Sequence, residues 1–210
     1  MQSDDATIVE PLENQLLRAS FAADENSQTL LFAQMNAKNV RHHILALRGL
    51  TRRSLMTSDL WQQALRDGDV EIRRESLQLL AHDEVNDSNV LGDVVRLLGD
   101  EDALVVDAAA FALGEHLFDG AVLELCEVAA NHEDARCRES AIASLGSIGD
   151  DRARLTILNA LKDKPAIRRR AIVALSNFEG PDIEAALLEA GEDRDWQVRS
   201  AVTQLRNQEN

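Results

Sequence analysis

A chain of 210 residues with 45% hydrophobic and 28% charged content can bury a substantial core and is not a disordered tail. A formal net charge of −15 opposes broad contact with phosphate backbones, which bind through Lys and Arg that displace counterions, so nucleic acid is not an expected partner. The acidic N-terminus lacks the basic start of a secretory signal, no apolar run nears the roughly 18 residues of a membrane span, and Cys126 and Cys137 are too few for a disulfide framework. The expectation is a cytoplasmic protein, away from membranes, with both thiols reduced in the core.

Residues 1–26 are expected to hold an acidic lead-in ending at Pro11, then a capping helix in which Leu12, Leu16, Leu17 and Phe21 follow helical spacing. From residue 27 to 207 one pattern recurs, and 208–210 form a short tail. Its clearest copy runs from Asp134 to Gly149. With Arg138 as reference, an Asp stands four residues earlier, an apolar residue just before, a small residue three later, Leu seven later and Gly eight later. The equivalent positions are Arg41, Arg73, Val106, Arg138, Arg168 and Arg199, at spacings of 32, 33, 32, 30 and 31 residues. A fixed period of this length marks a repeat architecture.

Each reference segment reads as a helix. Cys137, Ala141, Leu145 and Ile148 share one face, as do Ile167, Ala171, Leu175 and Phe178. An amphipathic segment precedes each one, for example Val122 to Ala130 and Ile183 to Ala190, and polar turns such as Asn131-His-Glu-Asp134 join the two. Pro165 and Pro181 suit first helical turns. The predicted fold is all-α: a right-handed α-solenoid of about six helical hairpins. Trp61 and Trp196 are read as packing residues of their repeats.

The Asp-x-x-x-Arg pattern followed by Ala and Leu-Gly, as in Asp134, Arg138, Ala141, Leu145 and Gly146, resembles the HEAT-repeat superfamily, above all the short repeats of phycobilisome-lyase-like proteins. The resemblance covers about residues 27–207 and implies scaffolding and protein binding. The outer copies depart from it, with Arg48 and Arg206 in the Leu place. HEAT-class iron hydroxylases carry repeated His-Glu dipeptides, whereas this chain has one, His132-Glu133, in a turn. HEAT-class DNA glycosylases need a cationic, aromatic groove, and this chain is acidic with 3% aromatic residues. No catalytic, cofactor-binding or metal-ligating residue is assigned.

The recurrent pairs Asp69 with Arg73, Asp134 with Arg138, and Asp195 with Arg199 read as a structural ladder. The Asp favours the positive end of the helix dipole and the Arg can bridge to a neighbouring turn. Val106 breaks this ladder. The expectation is that the break leaves Asp102 and Asp107 without their usual cation and strengthens the local negative field: Val106→Arg then changes stability by about 0–1 kcal/mol and leaves binding alone if the site is only structural, or weakens partner binding with the fold intact if the break serves recognition.

Charge is unevenly spread. Residues 76–135 carry one basic and fourteen acidic side chains, residues 136–180 nine basic and five acidic. The positions one and five after the reference point away from the core, and in HEAT-like stacks these second helices line the concave side. The first column reads His42, Arg74, Asp107, Glu139, Arg169 and Ser200; the second reads Ala46, Gln78, Phe111, Ala143, Val173 and Gln204. An acidic, partly apolar centre between arginines suits a docking strip, with Arg74, Asp107, Phe111, Glu139, Ala143, Arg169 and Val173 as candidate partner-binding residues. The same acids also suit a solvated face, and Phe111 also suits packing against the next repeat. The functional expectation is a non-catalytic scaffold or adaptor whose protein partner offers a basic segment. The alternative is an accessory subunit of a lyase or chaperone that handles a cofactor or client protein.

Overall fold

The computed structural model describes residues 10–208, so the lead-in expected before residue 10 lies outside the described residues. Thirteen α-helices and no strand occur among them: α1 (Leu12–Ala19), α2 (Glu25–Ala33), α3 (Val40–Arg52), α4 (Ser58–Leu65), α5 (Val70–Leu80), α6 (Ser88–Arg96), α7 (Ala103–Glu115), α8 (Val122–Asn131), α9 (Ala135–Ile148), α10 (Arg154–Ala160), α11 (Pro165–Leu175), α12 (Pro181–Ala190) and α13 (Trp196–Gln208). None of these helices is long and apolar enough to cross a membrane.

Helix starts follow from the turn residues. The side chains of Asp24, Asn39, Thr57, Asp87, Asp102 and Asp134 each accept a backbone N–H of the helix that follows. Such caps satisfy donors that a first turn leaves unpaired. Pro165 and Pro181 occupy first helical positions, where a missing N–H costs little. Gly149 ends α9 in the left-handed region at φ 68°, its N–H reaching the Leu145 carbonyl at 3.0 Å.

Two compact units divide the chain between Leu79 and Leu80. In the first, Leu16 and Ala19 of α1 join Leu31, Ala46, Leu47, Leu50, Ala64 and Ile72 in one core. Ala46 therefore departs from its expected outward direction, because the capping segment contributes to the core around it. The core of the second unit takes in Val105, Leu113, Leu125, Cys137, Ala141, Leu145, Ile157, Ile167, Ala171, Leu175 and Val198. Cys137 is buried as expected, and burial pushes its thiol up to about 11, whereas Cys126 is only half-buried.

The second helices of this unit form a row, with α7 packed on α9, α9 on α11 and α11 on α13. The Gly of the repeat explains their close approach. A Cβ on Gly114 would lie 2.9 Å from the Ser144 Cα, and one on Gly146 would lie 2.7 Å from the Ala174 Cα. The Leu-Gly of one unit thus sets a core residue beside a point of backbone contact with the next helix. Ser144 adds a buried hydrogen bond, its Oγ donating to the Ala110 carbonyl at 2.7 Å.

His43 of α3 is 2% exposed, its Nε2 has no hydrogen-bond partner among the described residues, and its Nδ1 lies 3.8 Å from the Asp67 carboxylate. Burial lowers its pKa below the ordinary 6.5, against the smaller opposing pull of Asp67 and Asp69. The unfolded chain therefore takes up this proton first as pH falls, and the folded state loses stability below about pH 6.5. Chemical denaturation between about pH 7.5 and 5 should show a shallower acid-side loss for His43→Gln than for wild type. Parallel pH profiles would show that His43 is not a source of the acid sensitivity.

Candidate functional site

The ladder residues divide two tasks between them. Asp134 caps α9 through the Arg136 N–H at 2.9 Å, and hydrogen bonds from the Arg136 guanidinium and N–H hold its carboxyl at about 2. Asp69 and Asp195 accept from the N–H groups of Glu71 and Gln197, each at 2.8 Å. The Arg side chains instead fold back over the turn between the helices of their own hairpin. Arg73 donates to the Asp67 and Gly68 carbonyls, Arg138 to those of His132 and Glu133, and Arg199 to that of Asp193.

At two of the reference positions, 138 and 168, the Arg also binds forward into the next unit. Arg138 makes a two-pronged contact to Asp163 at 2.7 and 2.9 Å, and Arg168 makes one to Asp193 at 2.8 Å on both prongs. The guanidinium contact lowers the pKa of both carboxyls. This cross-unit contact, 25 residues apart in both cases, ties successive hairpins at their turns. The geometry is that of structural clasps.

Val106 is fully buried. Asp102 caps α7 through the Leu104 N–H at 2.8 Å, and Asp107 accepts a hydrogen bond from the Ser140 hydroxyl, so both carboxylates are held by neutral donors. Residue 131, which is 25 after Val106, is Asn rather than Asp. The cation and its cross-unit carboxylate are thus missing together.

The outward columns fall on the exposed side of the α7–α9–α11–α13 row. One groove of about 400 Å³ is lined by Asp107, Phe111, Glu115, Glu139, Ala143 and Arg170. A second, of about 420 Å³, is lined by Glu139, Arg169, Arg170, Val173, Trp196 and Gln204. Glu139 and Arg170 line both grooves and approach to 3.7 Å, which makes the two one continuous surface. Phe111 is 44% exposed and stands edge-on to the His82 ring at 6.0 Å, so part of it packs on a neighbouring unit and part faces the groove. Val173 is 55% exposed. Six of the seven candidate partner-binding residues are brought together here. Arg74 lies on α5, half-buried, within the stretch where the first unit ends.

Trp61 is buried, as expected of a packing residue, but Trp196 is 66% exposed and lines the second groove. The signal was positional. Trp196 precedes its reference Arg199 by three residues, where neighbouring units have Ala103, Ala135 and Pro165, residues of a helix start rather than of a core. Arg170 and Glu115 stand outside the two outward columns, two after Arg168 and nine after Val106, so the repeat register does not mark them.

Residues 122–206 match the family described as HEAT repeats. No curated protein matches the sequence significantly. Among solved structures, the fold is similar to YibA of Escherichia coli (18% identity, 96% of this chain and 75% of that one, TM-score 0.63). It is also similar to the complex of CpcE and CpcF of phycocyanin lyase from Nostoc sp. PCC7120 (18% identity, 83% of this chain and 74% of that one, TM-score 0.61). A designed armadillo repeat protein in complex with the peptide (KR)4 is similar too (13% identity, 96% of this chain and 100% of that one, TM-score 0.58). The chain therefore has the all-α repeat fold of HEAT and armadillo proteins, and its residues 122–206 resemble HEAT repeats.

Proposed function

We propose that this protein is a non-catalytic scaffold or adaptor that holds a segment of a partner protein along the exposed face of α7, α9, α11 and α13. The observation that carries this reading is the continuous groove in which Phe111, Val173 and Trp196 stay exposed among fixed charges. Apolar anchors bounded by charge supply burial and register together. Asp107, Glu115 and Glu139 around Phe111 favour a basic residue of the partner at that end, and the peptide-bound designed relative supports peptide binding by this class of surface.

Phe111→Ala is expected to weaken binding of the protein partner by at least about 2 kcal/mol, a hot-spot effect, while thermal unfolding stays unchanged because the ring is exposed. Titration calorimetry and melting curves on the same two proteins separate these effects. Raising salt from about 0.05 to about 0.5 M should slow association through screening of the acidic end. Early melting of Phe111→Ala, or undiminished affinity, would remove the face from function.

A second reading is an accessory subunit of a lyase or chaperone handling a cofactor or client protein, favoured by similarity to the CpcE and CpcF complex. Purification in the presence of a bilin distinguishes it, since a handled bilin brings visible absorbance with the protein and a plain adaptor does not.

A further inference from the structure

The groove does not have one electrostatic character. Over α7 and α9 it presents Asp107 and Glu115 with Phe111, together with Arg136, whose guanidinium is held by Asp134, and the Glu139–Arg170 pair that both grooves share. Over α11 and α13, beyond that shared pair, it presents Arg169 with Trp196. The change of sign follows the sequence, from the fourteen acids of residues 76–135 to the nine basic residues of 136–180. Arg168, the third member of the Arg168-Arg169-Arg170 run, is turned away and buried against Asp193, so only its two neighbours face the groove. Arg169 is held by Gln197, its Nη1 donating to Oε1 at 2.5 Å, and both line the groove with Trp196.

We propose, resting on the docking face described above, that the bound segment is bipolar: extended, with a cationic side chain over the Phe111 end and a carboxylate over the Trp196 end. Packed helices lie about 8–10 Å apart, so the α7–α9 groove and the α11–α13 groove are separated by about 20 Å. An extended chain rises about 3.3 Å per residue, which places the two charges about six residues apart. The cation meets the Asp107 and Glu115 carboxylates and the Phe111 ring, the carboxylate meets the Arg169 guanidinium, and the stretch between them runs over Ala143 and Val173, where small or branched apolar side chains fit. A uniformly basic segment would satisfy the first end and be repelled at the second. That like-charge contact is the source of discrimination.

The test uses four fluorescein-labelled peptides of about ten residues with a shared Leu/Ser spacer: Lys and Glu six apart in both orders, Lys at both places, and Glu at both places. Fluorescence anisotropy on the full chain should show one bipolar order binding at least about tenfold tighter than either uniform peptide. Phe111→Ala should weaken that peptide, and the charge-reversed Arg169→Glu/Arg170→Glu protein should prefer the Lys–Lys peptide instead. Tightest binding of the Lys–Lys peptide by wild type, with loss in Phe111→Ala, overturns the bipolar occupant and leaves the docking face standing. Binding of none of the four, or binding indifferent to Phe111→Ala, overturns both. Release of peptide as the chain self-associates at rising concentration would assign the face to a second copy and likewise overturn the proposal.

Discussion

Val106→Arg is expected to destabilise the second unit by roughly 3–5 kcal/mol, the cost of leaving a charge buried without its partner. The reference position accepts an Arg only under stated conditions. At Arg138 and Arg168 the guanidinium is anchored by turn carbonyls and by a carboxylate 25 residues further on. From residue 106 the same step lands on Asn131, whose amide donates to Glu127 at 2.9 Å. A new Arg at 106 would displace a fully buried Val and find no carboxylate at that register. The decisive control is Val106→Arg/Asn131→Asp, which restores the spacing and should recover much of the loss in urea unfolding followed by circular dichroism. A single variant within about 1 kcal/mol of wild type would mean that the side chain reaches solvent, and absence of recovery in the double variant would remove the cross-unit clasp as the reason.

That result would replace the small surface effect expected from sequence. The repeat itself was readable because its chemistry is local: the Asp at a helix start, the apolar residues on one face, and Leu followed by Gly are all visible within one window. The forward reach of Arg138 to Asp163 was not, since the two belong to different units and nothing in the window of Arg138 marks its acceptor. Surface exposure was legible for the same reason only in part. Phe111 and Ala46 stand in the same column, yet one is exposed and the other lies in a core shared with α1. Helix phase gives the direction of a side chain; whether another element covers it is decided by tertiary packing. Trp196 shows the converse, since its size suggested the core while its place at a helix start left it exposed.

Leu145→Ala is expected to cost roughly 2–5 kcal/mol, the loss of buried methyl groups together with the cavity they leave. Leu145 is fully buried in α9, and α9 packs against α7, α8 and α11. Stability in a repeat array is the sum of unit terms and interfaces between neighbours, which spreads the loss beyond α9. Hydrogen exchange should therefore accelerate in α7 and α11 as well as in α9. The adjacent Gly146 limits relaxation, because its contact with Ala174 already sets α9 and α11 at close approach and leaves little freedom to collapse into the space. Val173→Ala, at an exposed site on α11, should stay within about 0.5 kcal/mol and serves as the comparison. Peptide affinity measured where Leu145→Ala remains folded should be close to wild type, since Glu139 and Ala143 line the groove on the opposite side of the helix from the cavity. An unchanged melting curve for Leu145→Ala would contradict the packing of α9, and exchange confined to α9 would contradict the coupling between neighbouring units.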